Sequence, residues 1–150
     1  MTAESTNGLR VERMGIERFE DLKSWQEARR LVQAVDRLTA KEAFRQDRPL
    51  KWQVQDAATS AMGNIAEAHG RYSFEDKRRF LDISLGSSRE AQSHLYVALD
   101  RQYIEAPEFD AAYNQAELVA QLVGGSIKNL DEQISRRATD KPSPRRKPRS

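Results

Sequence analysis

The side chains able to do chemistry in this 150-residue chain are few, and their types and spacing exclude most reactions at the outset. With no cysteine there is no thiol nucleophile, thiolate metal site or disulfide. The only histidines are His69 and His94. A carboxylate-bridged metal centre in a helical bundle needs Glu-x-x-His pairs facing inward, but Glu90 and His94 are four residues apart and His69 stands near a helix end. Two histidines cannot supply both pairs, so no metal is expected. Neither a Ser/His/Asp set nor a Gly-rich phosphate loop is present, and no cofactor is expected. The chain reads as non-enzymatic.

What remains is charge. The net charge of +2 hides a strong asymmetry. Residues 136–150 carry seven basic side chains against Asp140 alone, whereas residues 1–135 carry 18 basic and 22 acidic ones. The basic character therefore belongs to the C-terminal end, where Arg145, Arg146, Lys147 and Arg149 are interrupted by prolines. Cations on a flexible strand can follow a phosphate backbone without a preformed groove. Inside the body the cations Arg71, Lys77, Arg78 and Arg79, with Arg89 further on, form the second candidate for nucleic-acid contact. Several of them gather near a predicted helix start, where backbone N–H groups favour anions. Glu75, Asp76 and Asp82 are interspersed among them, as on an ordinary solvated face.

A third group is polar rather than charged. Asn64, Glu67 and Arg71 stand at i, i+3 and i+7, so they share one helical face, and Glu67 precedes Arg71 as a favourable i, i+4 pair. Set among alanines, Asn64 and Glu67 are expected to hydrogen-bond the adjacent helix near Gly86 or Ser87 and to fix its register, in preference to contacting RNA. Trp25 and Trp52 are expected to anchor a core or an interface.

The elements that must position these groups are helices. Leu22, Trp25, Ala28, Leu31, Val32, Val35 and Leu38 recur every three or four residues, predicting a helix from about Asp21 to Phe44. A polar break at 45–48 leads to Asp47 as N-cap and Pro49 in the first turn of a second helix. Its apolar line of Leu50, Val54, Ala57, Ala58, Ala61, Ile65 and Ala66 is mostly alanine, which lets a neighbour approach closely, and Gly70 ends it. Ser73-x-x-Asp76 has the form of a capping box and opens a third helix from Phe74 to about Gln102. Phe80, Ser84, Ser87, Ala91 and Ala98 line one side of that helix, and Leu81, Leu85, Leu95 and Leu99 the adjoining side. Two packing sides point to subunit contacts, and Gly86 within the helix implies close backbone approach.

After a turn at 103–107, Phe109, Ala112, Ala116, Val119, Val123, Ile127, Leu130 and Ile134 form a coiled-coil-like seam on a fourth helix from about Glu108 to Gln133. The expected fold is an all-α antiparallel four-helix bundle over residues 19–135. It is flanked by a flexible leader at 1–18 and a disordered basic tail at 136–150. No apolar run approaches the ~18 residues of a membrane span, and no signal-peptide core is evident, so no membrane partner and a cytoplasmic location are expected.

Residues 19 to about 130 resemble the four-helix-bundle family that includes the 23S ribosomal RNA intervening-sequence proteins, relatives of diversity-generating retroelement accessory proteins. Three blocks carry the resemblance. They are Phe19-Glu20-Asp21-Leu22 with Trp25-Gln26 and Ala28; Leu50-x-x-Gln53 with Ala57-Ala58 and Ser60; and Asn64-Ile65-Ala66-Glu67 with Gly70-Arg71 and Ser73, continuing through Phe80-Leu81 to Gly86-Ser87 and Glu90. The resemblance implies a ring-like homopentamer without enzymatic activity, with proposed RNA or DNA binding. It makes Asn64, Glu67, Gly70, Ser73, Gly86, Ser87 and Glu90 structural or interface positions. Ala68 stands where the family pattern has glycine, Ser84 where it has alanine, and Gln55-Asp56 where it often has two arginines. The expected role is that of an RNA- or DNA-associated accessory protein; the alternative is a scaffold that binds another protein, such as a reverse transcriptase, without touching nucleic acid.

Overall fold

The structure, a computed structural model, describes residues 18–140. The predicted leader, apart from Arg18, and the cations Arg145, Arg146, Lys147 and Arg149 lie outside the described residues. A 3-10 turn at Phe19–Asp21 leads into α1 (Lys23–Thr39), followed by short α2 (Glu42–Gln46), α3 (Arg48–His69), α4 (Phe74–Asp100) and α5 (Ala106–Asp140). No strand occurs among the described residues.

Four long helices close a ring in which each packs on two neighbours: α3 on α4, α4 on α5, α5 on α1 and α1 on α3. Cross-helix bonds give their directions. Ser84 Oγ donates to the Ala61 carbonyl, Ser87 Oγ meets Ser60 Oγ, and Lys77 Nζ reaches the Ala68 carbonyl, so numbers rise on α4 as they fall on α3. Arg78 to Asp131 and Arg89 to Glu117 repeat the relation between α4 and α5. Gln115 to Glu27 and Lys41 to Glu108 repeat it between α5 and α1. The bundle is antiparallel.

The core follows the predicted stripes. Leu31, Val35, Val54, Ile65, Leu95, Val119 and Val123 are at most 1% exposed. The facing surfaces of α3 and α4 are built from Ala57, Ala58, Ala61, Ser84, Ser88 and Ala91, all buried. Small side chains there let the two axes approach, and the serine hydroxyls are satisfied within the pair: Ser88 Oγ donates to the Ser84 carbonyl at 3.0 Å.

Local signals set several boundaries. Asp47 caps α3 by accepting from the Leu50 N–H at 3.2 Å, with Pro49 in the first turn. Ser73 caps α4 by accepting from the Asp76 N–H at 3.1 Å. Glu105 precedes α5, and its N–H donates to Glu108 Oε1 at 3.0 Å, the reciprocal half of a capping box.

Three boundaries differ from those read from periodicity. The predicted helix from Asp21 to Phe44 is divided: Asp21 lies in the 3-10 turn, α1 ends at Thr39, and Phe44 belongs to α2. The division lets the chain cross the bundle end while Phe44, 0% exposed, still enters the core beside Tyr103, with ring centroids 5.5 Å apart. The fourth helix starts at Ala106 rather than Glu108, because Pro107 is tolerated in a first turn. It also continues seven residues beyond Gln133 to Asp140, since nothing in that stretch breaks a helix; the Arg137 guanidinium packs 4.4 Å from the Phe74 ring centroid. At the turn before α5, Gln102 takes φ 63°, a conformation more usual for glycine.

Candidate nucleic-acid interface

The body cations sit at the α3–α4 joint and along α4, and each is tied into the fold. Lys77 is the most committed. One turn into α4, it reaches back across the Gly70–Ser73 joint and donates to the carbonyls of Ala68 at 3.3 Å and His69 at 3.1 Å. These are C-terminal carbonyls of α3, which attract a cation. Arg78 Nε donates to Asp131 Oδ1 at 2.6 Å, fastening α4 to α5. That carboxylate holds the Arg78 guanidinium above its ordinary pKa.

Arg89 pairs with Glu117, and a buried glutamine completes the set. Gln92 Oε1 accepts from Arg89 at 3.0 Å while Gln92 Nε2 donates to Glu117 Oε2 at 3.0 Å. The hydrogen bond from Gln92, then that from Arg89, keeps the Glu117 carboxyl below the usual carboxylate range. Arg71 pairs with Glu67, as the i, i+4 spacing predicts. Arg79 stands 3.9 Å from Asp76, and the guanidiniums of Arg71 and Arg79 each lie 4.5 Å from the Phe80 ring centroid. Tyr72, between the two helices, is fully exposed.

Four of the cations therefore gather at the joint and the first turns of α4, with Arg89 further along, and the five do not form a continuous free surface. A phosphate group arriving at Arg78, Arg89 or Arg71 would have to compete with a carboxylate already in place. Residues 18–140 carry 18 basic and 20 acidic side chains, so the field of the body as a whole does not favour a polyanion. By contrast, residues 141–150 hold five basic side chains and no acidic one.

The polar set behaves as a packing element, with partners other than those expected. Asn64 Nδ2 donates within its own helix to the Ser60 carbonyl at 2.8 Å and to Ser60 Oγ at 3.1 Å. Ser60 Oγ then meets Ser87 Oγ at 2.7 Å, so Asn64 reaches α4 through a serine relay. Glu67 does not bridge to α4; its partner is Arg71. Glu90 pairs with His94 at 3.3 Å along the helix. Among the described residues no group of three or more metal-ligating side chains is assembled.

The close approach expected at Gly86 is not made by any described residue of the protomer: a Cβ there would meet nothing within 4 Å, and the same holds for Gly63 on the neighbouring helix and for Gly124 and Gly125 on α5. Both glycines face outward on the α3–α4 surface. The same two helices expose Trp52 at 59% and Ile83 at 43%, so Trp52 is not a core anchor, whereas Trp25 is half-buried and packs edge-on against Phe19 with centroids 5.1 Å apart. Two features escaped sequence reasoning. Lys77 acts as a helix cap, which its nine-residue offset from Ala68 signals only once the joint is known to reverse direction. Glu27 is buried at 6% exposure, paired with Arg30 and receiving two hydrogen bonds from Gln115 Nε2 at 2.8 Å.

No helix among the described residues is long and apolar enough to cross a membrane. No curated protein matches the chain. It is similar to a solved structure of a protein with unknown function from the S23 ribosomal protein family of Bacteroides thetaiotaomicron VPI-5482, with a TM-score of 0.61 and 24% identity over 71% of this chain and 95% of that one. At that identity the likeness speaks to the fold. Residues 20–125 match the profile of the 23S rRNA-intervening sequence protein, and this antiparallel bundle, with its Asn64–Ser73 joint inside the matched span, belongs to that family.

Proposed function

We propose that the protein is a non-enzymatic, self-associating helical platform that engages RNA through the cations of its C-terminal segment. The observation that carries this reading is the division of charge. In the body the candidate cations are engaged by Glu67, Asp131, Glu117 and helix carbonyls, whereas residues 141–150 hold five cations and no acid among them. A basic segment attached to a rigid body binds a phosphate backbone by counterion release and needs no shaped groove. Self-association, as a ring-like homopentamer, presents several such segments to one RNA and raises avidity without new contacts.

The outward face of α3 and α4 supports the assembly. Exposed glycines in mid-helix each cost about 1 kcal/mol relative to alanine, and Gly63 and Gly86 have no neighbour in the protomer that would require them. A helix from a second subunit lying over them supplies that requirement. The same face, with Trp52 and Ile83 exposed, favours a second reading in which the platform docks a protein such as a reverse transcriptase.

The experiment is retention of single-stranded RNA by the full chain and by a chain ending at Asp140, with masses from light scattering. Loss of RNA on truncation with the assembly intact supports the first reading. Equal RNA retention by both chains, or none by either, defeats it. A stoichiometric protein partner whose capture survives nuclease treatment supports the second. A mass near 17.2 kDa at micromolar concentration contradicts self-association.

A further inference from the structure

We infer that the end of the bundle beneath the α3–α4 joint is a binding site for a small amphipathic carboxylate. A cavity of about 210 Å³ opens there among all four long helices, between the start of α1, the end of α3, the first turns of α4 and the middle of α5. Its walls combine an apolar floor with converging donors. Leu22, Ile65, Leu81 and Leu130 form the floor.

The polar lining is one-sided. Lys77 Nζ has three protons and makes two hydrogen bonds, both to backbone carbonyls, and no ion pair within the described residues. It is a half-buried cation balanced by a helix end rather than by an acid. The Ser24 hydroxyl has no partner among the described residues. Asn129 accepts from Gln133 at 3.3 Å through its oxygen, which leaves its amide N–H groups to donate. His69 also lines it, and no Asp or Glu among the described residues does. A neutral apolar guest would leave the ammonium, hydroxyl and amide unanswered, and a cation would be repelled by Lys77. An anion answers all three, and a charge-assisted bond from Lys77 is the stronger kind.

Size and floor narrow the class. The cavity is smaller than the roughly 300–1,000 Å³ of pockets for drug-sized ligands, so the guest is small. Four leucine and isoleucine side chains favour a short apolar chain behind the charged head, which a bare phosphate or sulfate lacks. The head group lies at Lys77 and the tail runs toward Leu81 and Leu130. The residues that line the cavity do not include the C-terminal cations, so the RNA reading can fail while this one stands.

Titration calorimetry of the full-length protein with sodium hexanoate tests the proposal, with hexanol and inorganic phosphate as comparison probes. Saturable binding of one hexanoate per protomer is expected, with hexanol and phosphate each at least tenfold weaker. Ser126→Phe, which fills the cavity from α5, is expected to weaken hexanoate at least tenfold while the helical circular dichroism is kept. Lys77→Gln, which retains hydrogen-bond donation to the α3 carbonyls but not the charge, is expected to weaken hexanoate at least fivefold and leave hexanol unchanged. Should Lys77→Gln fail to fold, Ser24→Phe replaces it with the same expectation as Ser126→Phe. Absence of saturable hexanoate binding, equal affinity for hexanol or phosphate, or full affinity in Ser126→Phe would overturn the inference.

Discussion

Replacing Ser60 by alanine separates a packing role for the Asn64 face from a nucleic-acid role. Ser60 Oγ is the middle of the relay, 3.1 Å from Asn64 Nδ2 and 2.7 Å from Ser87 Oγ. Without it Asn64 keeps its bond to the Ser60 carbonyl, but Ser87, 8% exposed, loses its only side-chain partner among the described residues. A net hydrogen bond contributes about 1 kcal/mol, and an unsatisfied buried group costs about 1–3, so Ser60→Ala should destabilise by about 1–2 kcal/mol. With an unfolding entropy of about 2.1 cal/mol/K per residue, that loss lowers the midpoint of a unit of this size by about 4–8 °C. Thermal melts at matched protomer concentration measure it, because any assembly makes the midpoint concentration-dependent. In the cycle with Ser87→Ala, the double variant should be less destabilised than the sum of the singles by about 1 kcal/mol, since removing both hydroxyls leaves no orphan. RNA affinity should stay within twofold throughout. A variant that melts like wild type yet loses RNA would refute the packing role, and additivity within 0.3 kcal/mol, the usual scatter for independent sites, would refute the relay.

Two further outcomes follow from the geometry. The Asp47 carboxyl lies below its ordinary pKa, chiefly because Tyr103 Oη–H donates to it at 2.8 Å, with further help from the Leu50 N–H and Arg101. A depressed carboxylate pKa stabilises the fold above the unfolded value of about 3.9, and the gain is lost as pH falls through the folded value. Asp47→Asn, which keeps the cap but loses the charge that Tyr103 and Arg101 answer, should therefore lower the melting midpoint at pH 7 by the loss of about 1 kcal/mol, and the gap from wild type should narrow as pH falls below about 4; a gap as large at pH 2 as at pH 7 would contradict this. Gly86→Leu should leave the protomer's helix content intact, since the position is exposed and a Cβ there meets nothing within 4 Å, but should lower the mass seen by light scattering; an unchanged assembly would remove this face from the interface.

Much of the architecture was legible because each helix carries its own signals. The apolar seam of α5 is buried from Phe109 to Leu130, and the caps at Asp47 and Ser73 act through the spacing that predicts them. The misplaced boundaries share a cause, which is that periodicity reports burial and not chain direction. Phe44 continues the α1 stripe in register yet reaches the core from a separate helix, and nothing between Thr39 and Glu42 is a glycine or proline. Polar sequence after Gln133 looks like an ending, but it remains helical to Asp140, with Arg137 against Phe74. The candidate cations were visible as residues, but their commitments were not. Arg78 and Asp131 are 53 positions apart, and Arg89 and Glu117 are 28 apart, so only the folded pairing of α4 with α5 shows that their charges are already answered. Gly86 was legible as an anomaly, and no neighbour among the described residues of the protomer explains it.

In the proposed function RNA contact rests on residues 141–150 rather than on the bundle. Fluorescence polarisation of a labelled single-stranded RNA, titrated with the full chain and with a chain ending at Asp140 between 50 and 200 mM salt, tests it most directly. Five cations at about −0.7 per contact predict a slope of log affinity on log salt near −3.5 for the full chain, roughly a 100-fold loss over that range. The shortened chain should bind at least 100-fold more weakly at 50 mM salt and show a slope near zero. Equal affinity and equal slope for the two chains would place the contact on the folded body and refute a role for residues 141–150.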